Sequence, residues 1–175
     1  MKKILDPEVL LYLAVIVIDM QDYFIGNSQE KKRLISYQTE VLEFCKDYNI
    51  PVIVAEYAKR GPTTDKLQRV LACLPQANVK MLTKKGNNAF EGTNLSLVLK
   101  ELGTQYLLVM GINACSCVLE TARTAVNMGL KIITSRTLIA GVCDSCSINA
   151  THEWYAQNGV YPENHEIVIN TTLVV

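Results

Sequence analysis

Tyr12-Leu-Ala-Val-Ile-Val-Ile-Asp19 is a near-continuous apolar run, rich in β-branched residues and ended by an acid. A strand with one wet face alternates apolar and polar residues. A parallel strand covered on both faces does not, so this run reads as a buried strand of a parallel sheet. Similar runs recur over residues 51–55, 79–82, 106–110 and 130–134. Between them the apolar residues fall at helical spacing over 32–48, 65–73, 93–102 and 115–128, the last followed by Gly129 as a helix C-terminus would be. A further helix is expected over 147–157 and a short terminal strand over 166–170. Strands alternating with helices imply right-handed crossovers, hence an α/β fold of three layers: a mostly parallel central sheet with helices on both faces. In such sheets ligands bind beyond the carboxyl ends of the strands, so Asp19, Glu56, Lys84 and the turn beginning at Gly111 are expected to converge there.

The chain has 175 residues, 49% of them hydrophobic, which suits one domain over residues 1–175 with a sizeable core. Lys plus Arg and Asp plus Glu each number 17, so no basic excess draws the chain to nucleic acid or to an anionic membrane. A small molecule and other protein subunits are the expected partners, with a homo-oligomer as the expected assembly. The beginning of the sequence lacks the apolar stretch of a signal peptide, and no run is long enough to span a bilayer, so the expected location is cytoplasmic. There the six cysteines are expected as free thiols.

Three positions are candidates for chemistry. Cys117 falls where a buried strand turns into a helix, and free N–H groups with the positive end of the helix dipole would favour a thiolate and hold an oxyanion. It is therefore expected to be the most alkylation-sensitive thiol. Asp19, ending a very apolar strand, costs desolvation unless a partner or a catalytic role compensates, and is suited to take the thiol proton. Lys84 follows another apolar strand and would steady both groups, lowering both pKa values. Each has a plainer reading beside it: a buried structural thiol, a loop-capping acid, a solvated lysine. Cys45 and Cys73, on helical segments, read as core filler.

Taken together, Asp19-Met-Gln-Asp-Tyr-Phe24, Lys84-Lys-Gly-Asn-Asn-Ala-Phe90 and Gly111-Ile-Asn-Ala-Cys-Ser-Cys117-Val-Leu-Glu-Thr-Ala-Arg-Thr-Ala125, in that order, closely resemble the isochorismatase-like cysteine hydrolases. The resemblance covers residues 12–135. It implies a Rossmann-like sheet in which Asp19 is the general base, Cys117 the nucleophile and Lys84 the group that orients and stabilises them. It also implies a cis peptide at Ile112-Asn113, with the backbone N–H groups of Asn113 and Cys117 forming the oxyanion hole. Phe24, Asn88 and Phe90 match positions at or near the substrate pocket, packing being an equal reading for Phe90. No cofactor is implied. The chain departs from the family pattern at Asn88, where Ser is common, at Thr124, where Asp is common, and at Arg136-Thr137 in place of an Asp-Ala pair.

The nicotinamidase branch carries an Asp-x-His…His metal set after its second strand, whereas this chain has Ala55-Glu-Tyr-Ala-Lys-Arg-Gly-Pro62 and only two histidines, His152 and His165, so no metal is expected. Hydrolysis of a small amide or related C–N bond is the function expected. Its competitors are a vinyl-ether hydrolase of the isochorismate type, a catalytically silent binding domain of the same fold, and a thiol redox or metal sensor built on Cys115, Cys143 and Cys146.

Overall fold

The computed structural model describes residues 7–26, 29–141 and 148–166. After a short helix α1 (Pro7–Leu11), β1 (Leu13–Ile18) forms as expected and all six of its residues are buried. A four-residue helix α2 (Asp22–Ile25) and the long α3 (Gln29–Asp47) lead to β2 (Val52–Tyr57), α4 (Asp65–Leu71) and β3 (Val79–Lys84). Then come α5 (Leu95–Glu101), β4 (Tyr106–Ile112), α6 (Cys117–Asn127), β5 (Lys131–Ile133), β6 (Ile139–Ala140), α7 (Ile148–Asn158) and β7 (Gly159–Val160). The strands order as β3-β2-β1-β4-β5-β7, with β6 also paired to β4, and each of these pairings is parallel.

The period of two along β1 builds the layers. Leu13, Val15 and Val17 pack with Leu34, Val41, Leu42, Leu67 and Leu71, from α3 and α4. Ala14, Ile16 and Ile18 pack on the other face with Leu95, Leu99, Val118, Ala122 and Tyr155, from α5, α6 and α7. A strand with two apolar faces needs a helical layer on each. The chain winds one way from β1 to β3 and the other way from β4 outward. The switch lies between β1 and β4, the place beyond whose strand ends open α/β sheets build their sites.

Three departures have simple causes. The apolar run at 79–82 belongs to an edge strand, so Met81 is exposed, and β3 continues two residues further to include Lys84. The helices over 93–102 and 115–128 begin two residues later than expected, because Thr93 and Asn94 lie in the approach to α5 and Cys115 and Ser116 in the turn into α6. Cys73 is no core filler: it lies just past α4, exposed, its thiol donating to the Arg69 carbonyl at 3.3 Å, whereas Cys45 is buried in the core. The expected terminal strand falls, beyond Glu166, outside the described residues, as do Cys143 and Cys146.

Candidate active site

Asp19 follows the last residue of β1 in a left-handed backbone conformation (φ 53°), which a short polar side chain tolerates better than most. Its N–H donates to the Ala55 carbonyl of β2 at 2.9 Å, so the turn out of the strand is anchored. Lys84, in register with Tyr57 of the neighbouring strand, reaches Asp19 Oδ2 with its Nζ at 2.7 Å, and both side chains are essentially out of water. The ammonium also donates to the Gly86 carbonyl at 3.0 Å and lies 4.6 Å from the centre of the Tyr57 ring. Three partners, a carboxylate, a carbonyl and an aromatic face, thus share the cost of one buried positive charge.

Cys117 arrives from the other side of the switch point. Gly111, with φ 147°, packs so tightly on β1 that a Cβ there would overlap the Ile18 carbonyl oxygen, and this closeness sets the following turn against Asp19. The Ile112–Asn113 peptide is cis. The Asn113 carbonyl accepts the N–H groups of Ser116 (3.1 Å) and Val118 (3.2 Å), so the turn caps the helix that Cys117 opens. As the first residue of α6, Cys117 has an N–H with no intrahelical acceptor. Gly141 backs the turn, leaving no room for a Cβ beside the Asn113 side chain.

Cys117 is 5% exposed, and its thiol lies near the Asp19 carboxylate. It also lies 3.6 Å from Asn87 Oδ1. Burial first, then the nearby Asp19 charge, pushes its pKa up to about 11, against a smaller downward pull from Lys84. The expectation of a thiolate favoured by the helix end is therefore reversed: desolvation and the facing carboxylate outweigh the dipole and the lysine. Asp19 is also raised, by burial, with Lys84 and Cys117 opposing. At neutral pH the resting thiol is therefore protonated, and it gives up its proton only during reaction.

The other expected positions divide. Phe24, half-buried on α2, makes edge contacts with Tyr57 (ring centres 6.0 Å apart) and Tyr23 (5.0 Å), continuing an aromatic wall outward from Lys84. Phe90 is half-buried against the α5–α6 core. Asn88 is spent on structure: its Nδ2 donates to Thr124 Oγ1 at 3.0 Å and Glu91 Oε1 at 3.3 Å, and its Oδ1 accepts the Phe90 N–H. Two departures from the family pattern are thus in contact, and where Ser could donate to Asp, here Asn donates to Thr. Glu56 does not join Asp19 and Lys84. One residue out of step with Tyr57, it lies on the opposite face, where its Oε1 accepts the N–H and hydroxyl of Thr63 at 2.6 and 2.8 Å.

Three residues near the group had no role assigned from sequence. Asn87 touches the sulfur. Tyr57 covers Lys84. Gln21, fully buried, accepts the Tyr57 N–H at 2.8 Å, donates to the Tyr57 carbonyl at 3.0 Å and also donates to the Gly61 carbonyl, clamping the segment that carries that ring. The Asp19-x-Gln21 spacing was a signal for Gln21, but the choice between adjacent Asn87 and Asn88 has none in one dimension. The histidines are engaged elsewhere: His152 with the Tyr161 hydroxyl, His165 with Glu40 at 2.6 Å and Thr137 at 3.2 Å. Among the described residues no three His, Cys, Asp or Glu side chains gather as a metal set, and no helix is long and apolar enough to cross a membrane.

Comparison with known proteins fits this geometry. The isochorismatase domain model matches residues 13–160. Enterobactin synthase component B of Escherichia coli (strain K12) is 27% identical over 139 residues, 67% of this chain but 49% of that protein, so the chain spans about half the length of the curated relatives it matches. Among solved structures, N-carbamoylsarcosine amidase from Thermoplasma acidophilum superposes with a TM-score of 0.74 at 20% identity, covering 87% of this chain and 96% of that one. The nicotinamidase from Staphylococcus aureus gives 0.74 at 21%, covering 88% and 99%. At such identities these structures testify to the fold. The family model, spanning most of the chain and all three site segments, carries the assignment: this chain belongs to the isochorismatase-like hydrolase superfamily.

Proposed function

We propose that the chain is a cysteine hydrolase of small amides or related C–N bonds, working through Cys117, Asp19 and Lys84. The observation that carries the reading is the buried Lys84–Asp19 ion pair, 2.7 Å long, with the Cys117 thiol close enough to feel the same carboxylate. Asp19 takes the thiol proton as sulfur attacks the carbonyl carbon, and Lys84 holds the carboxylate in place throughout. The N–H groups of Asn113 and Cys117 receive the developing oxyanion. Asp19 returns the proton to the leaving nitrogen, ammonia or an amine departs, and water, deprotonated by the same carboxylate, releases the acid from the thioester. The raised thiol pKa favours this concerted general-base route over a standing thiolate, since a thiol of pKa about 11 is ionised in only about one molecule in ten thousand at pH 7.

The test is ammonia release by purified protein from a panel of primary amides, ureides and carbamoyl compounds. Turnover of at least one member, abolished in Cys117→Ala, is the expected result. A panel without turnover, or turnover that survives Cys117→Ala, overturns the reading. The family model favours one second reading, vinyl-ether hydrolysis of the isochorismate type, which needs no cysteine nucleophile and so would survive that substitution.

A further inference from the structure

Asn87 stands at the border between the nucleophile and solvent: it is exposed, while Cys117 beside it is buried. Its two polar ends do different things. Nδ2 donates to Glu120 Oε1 at 3.1 Å, and Oδ1 lies 3.6 Å from Cys117 Sγ. Glu120 is three residues after Cys117 on α6, so both side chains project from the same face of the helix. A carboxylate accepts only from the NH2 end of an amide, so Glu120 fixes which way Asn87 is turned, with its carbonyl oxygen facing the sulfur.

Resting on the amidase reading, we infer that Asn87 is a specificity-determining residue: its Oδ1 accepts an N–H of the substrate's leaving NH2 group, selecting primary carboxamides and carbamoyl groups over esters. The nitrogen of an amide under attack is bonded to the carbon that sulfur approaches. With Oδ1 only 3.6 Å from the sulfur, one pose of the attacked amide brings that nitrogen within an ordinary hydrogen-bond length, about 2.9 Å, of Oδ1. The same contact couples recognition to activation. Sγ carries one proton and faces two acceptors, Asn87 Oδ1 and the Asp19 carboxylate. A substrate N–H on Oδ1 competes with the thiol for that oxygen and so favours the turn of the thiol proton toward Asp19. The S–C bond then forms as the carbonyl electrons move to oxygen. On collapse the C–N bond breaks, the proton passes from Asp19 to nitrogen, and ammonia departs. An ester, whose leaving oxygen bears no hydrogen, cannot make the contact.

The experiment compares the panel amide of fastest ammonia release with the methyl ester of the same acid, in a Cys73→Ser background that removes an exposed competing thiol. The burst of p-nitrophenolate from p-nitrophenyl acetate monitors the nucleophile itself. Asn87→Ala is expected to lower the amide-to-ester ratio of kcat/KM by about 10- to 100-fold, the range for losing one well-placed hydrogen bond. Glu120→Gln, whose carbonyl still accepts from Nδ2, is expected to keep the ratio, and Glu120→Leu to lower it. Equal losses on amide and ester, or an unchanged ratio in Asn87→Ala, overturn the assignment while leaving the amidase reading intact. A wild-type protein that gives the burst but hydrolyses no amide overturns both.

Discussion

Asp19 and Lys84 are each other's solvent. With both side chains out of water, removing one leaves the other as an uncompensated buried charge, at a cost of about 3–5 kcal/mol. Asp19→Asn is therefore expected to lose catalysis and some stability together. The amide cannot take the thiol proton, so kcat should fall more than 10-fold with little change in KM, and a rise under about 1.4 kcal/mol in barrier would remove Asp19 as the base. Lys84→Met separates the two effects through pH. Without the ammonium, burial is opposed only by the weaker influence of Cys117 and raises the Asp19 pKa further. A carboxyl whose folded pKa exceeds its unfolded value contributes stability below the unfolded pKa and loses it as pH rises through the folded one. The melting temperature of Lys84→Met should thus climb on acidification from pH 7 toward pH 4, the unfolded carboxyl titrating near 3.8. A flat profile would show that the carboxylate is rehydrated rather than buried. A third outcome concerns reagent order: the exposed Cys73, not Cys117, is expected to react first with iodoacetamide at neutral pH, as peptide mapping would show.

Elements carry these residues to their places through contacts that tolerate little change. Ile16 of β1 is wholly buried on the α5–α6 face, and Ile16→Ala should cost about 2–5 kcal/mol in denaturant unfolding. Gly111 is a different case, because the obstacle to a side chain is backbone. Gly111→Ala forces β4 away from Ile18, at about 1–3 kcal/mol beyond the conformational cost, and should impair turnover in the folded fraction by moving the turn that leads to Cys117. Gly103 is the control: it also has positive φ (64°) but open space for a Cβ, so Gly103→Ala should cost only about 1 kcal/mol and leave activity untouched. If the two alanine variants behave alike, the close approach of β4 to β1 does not position the site.

At the scale of the molecule, self-association remains our proposal. Leu97 and Met128 are about half exposed and together line one apolar groove on the α5 side, a surface that a second copy would cover. Light scattering at micromolar concentration should give a multiple of 19.5 kDa, reduced by Leu97→Glu; a monomer would end the proposal. The sequence by itself determined the sheet and its layers. An apolar run without alternation has no face to give to water, and the helical spacings between such runs supply the two covers, so β1 to β5 and their helices were readable from local pattern alone. Asp19, Lys84 and Cys117 were legible for a related reason: each stands at the end of a strand or the start of a helix, where the chain itself marks the sheet's carboxyl edge. The tertiary structure decided what depends on approach between distant segments. Thirty residues separate Asn87 from Cys117, and only the packing of β3 against the rest of the sheet shows that Asn87 rather than Asn88 meets the sulfur. Likewise the thiol's high pKa arises from burial and a facing carboxylate, fields that sum over all neighbours in space, whereas the sequence displays only those along the chain.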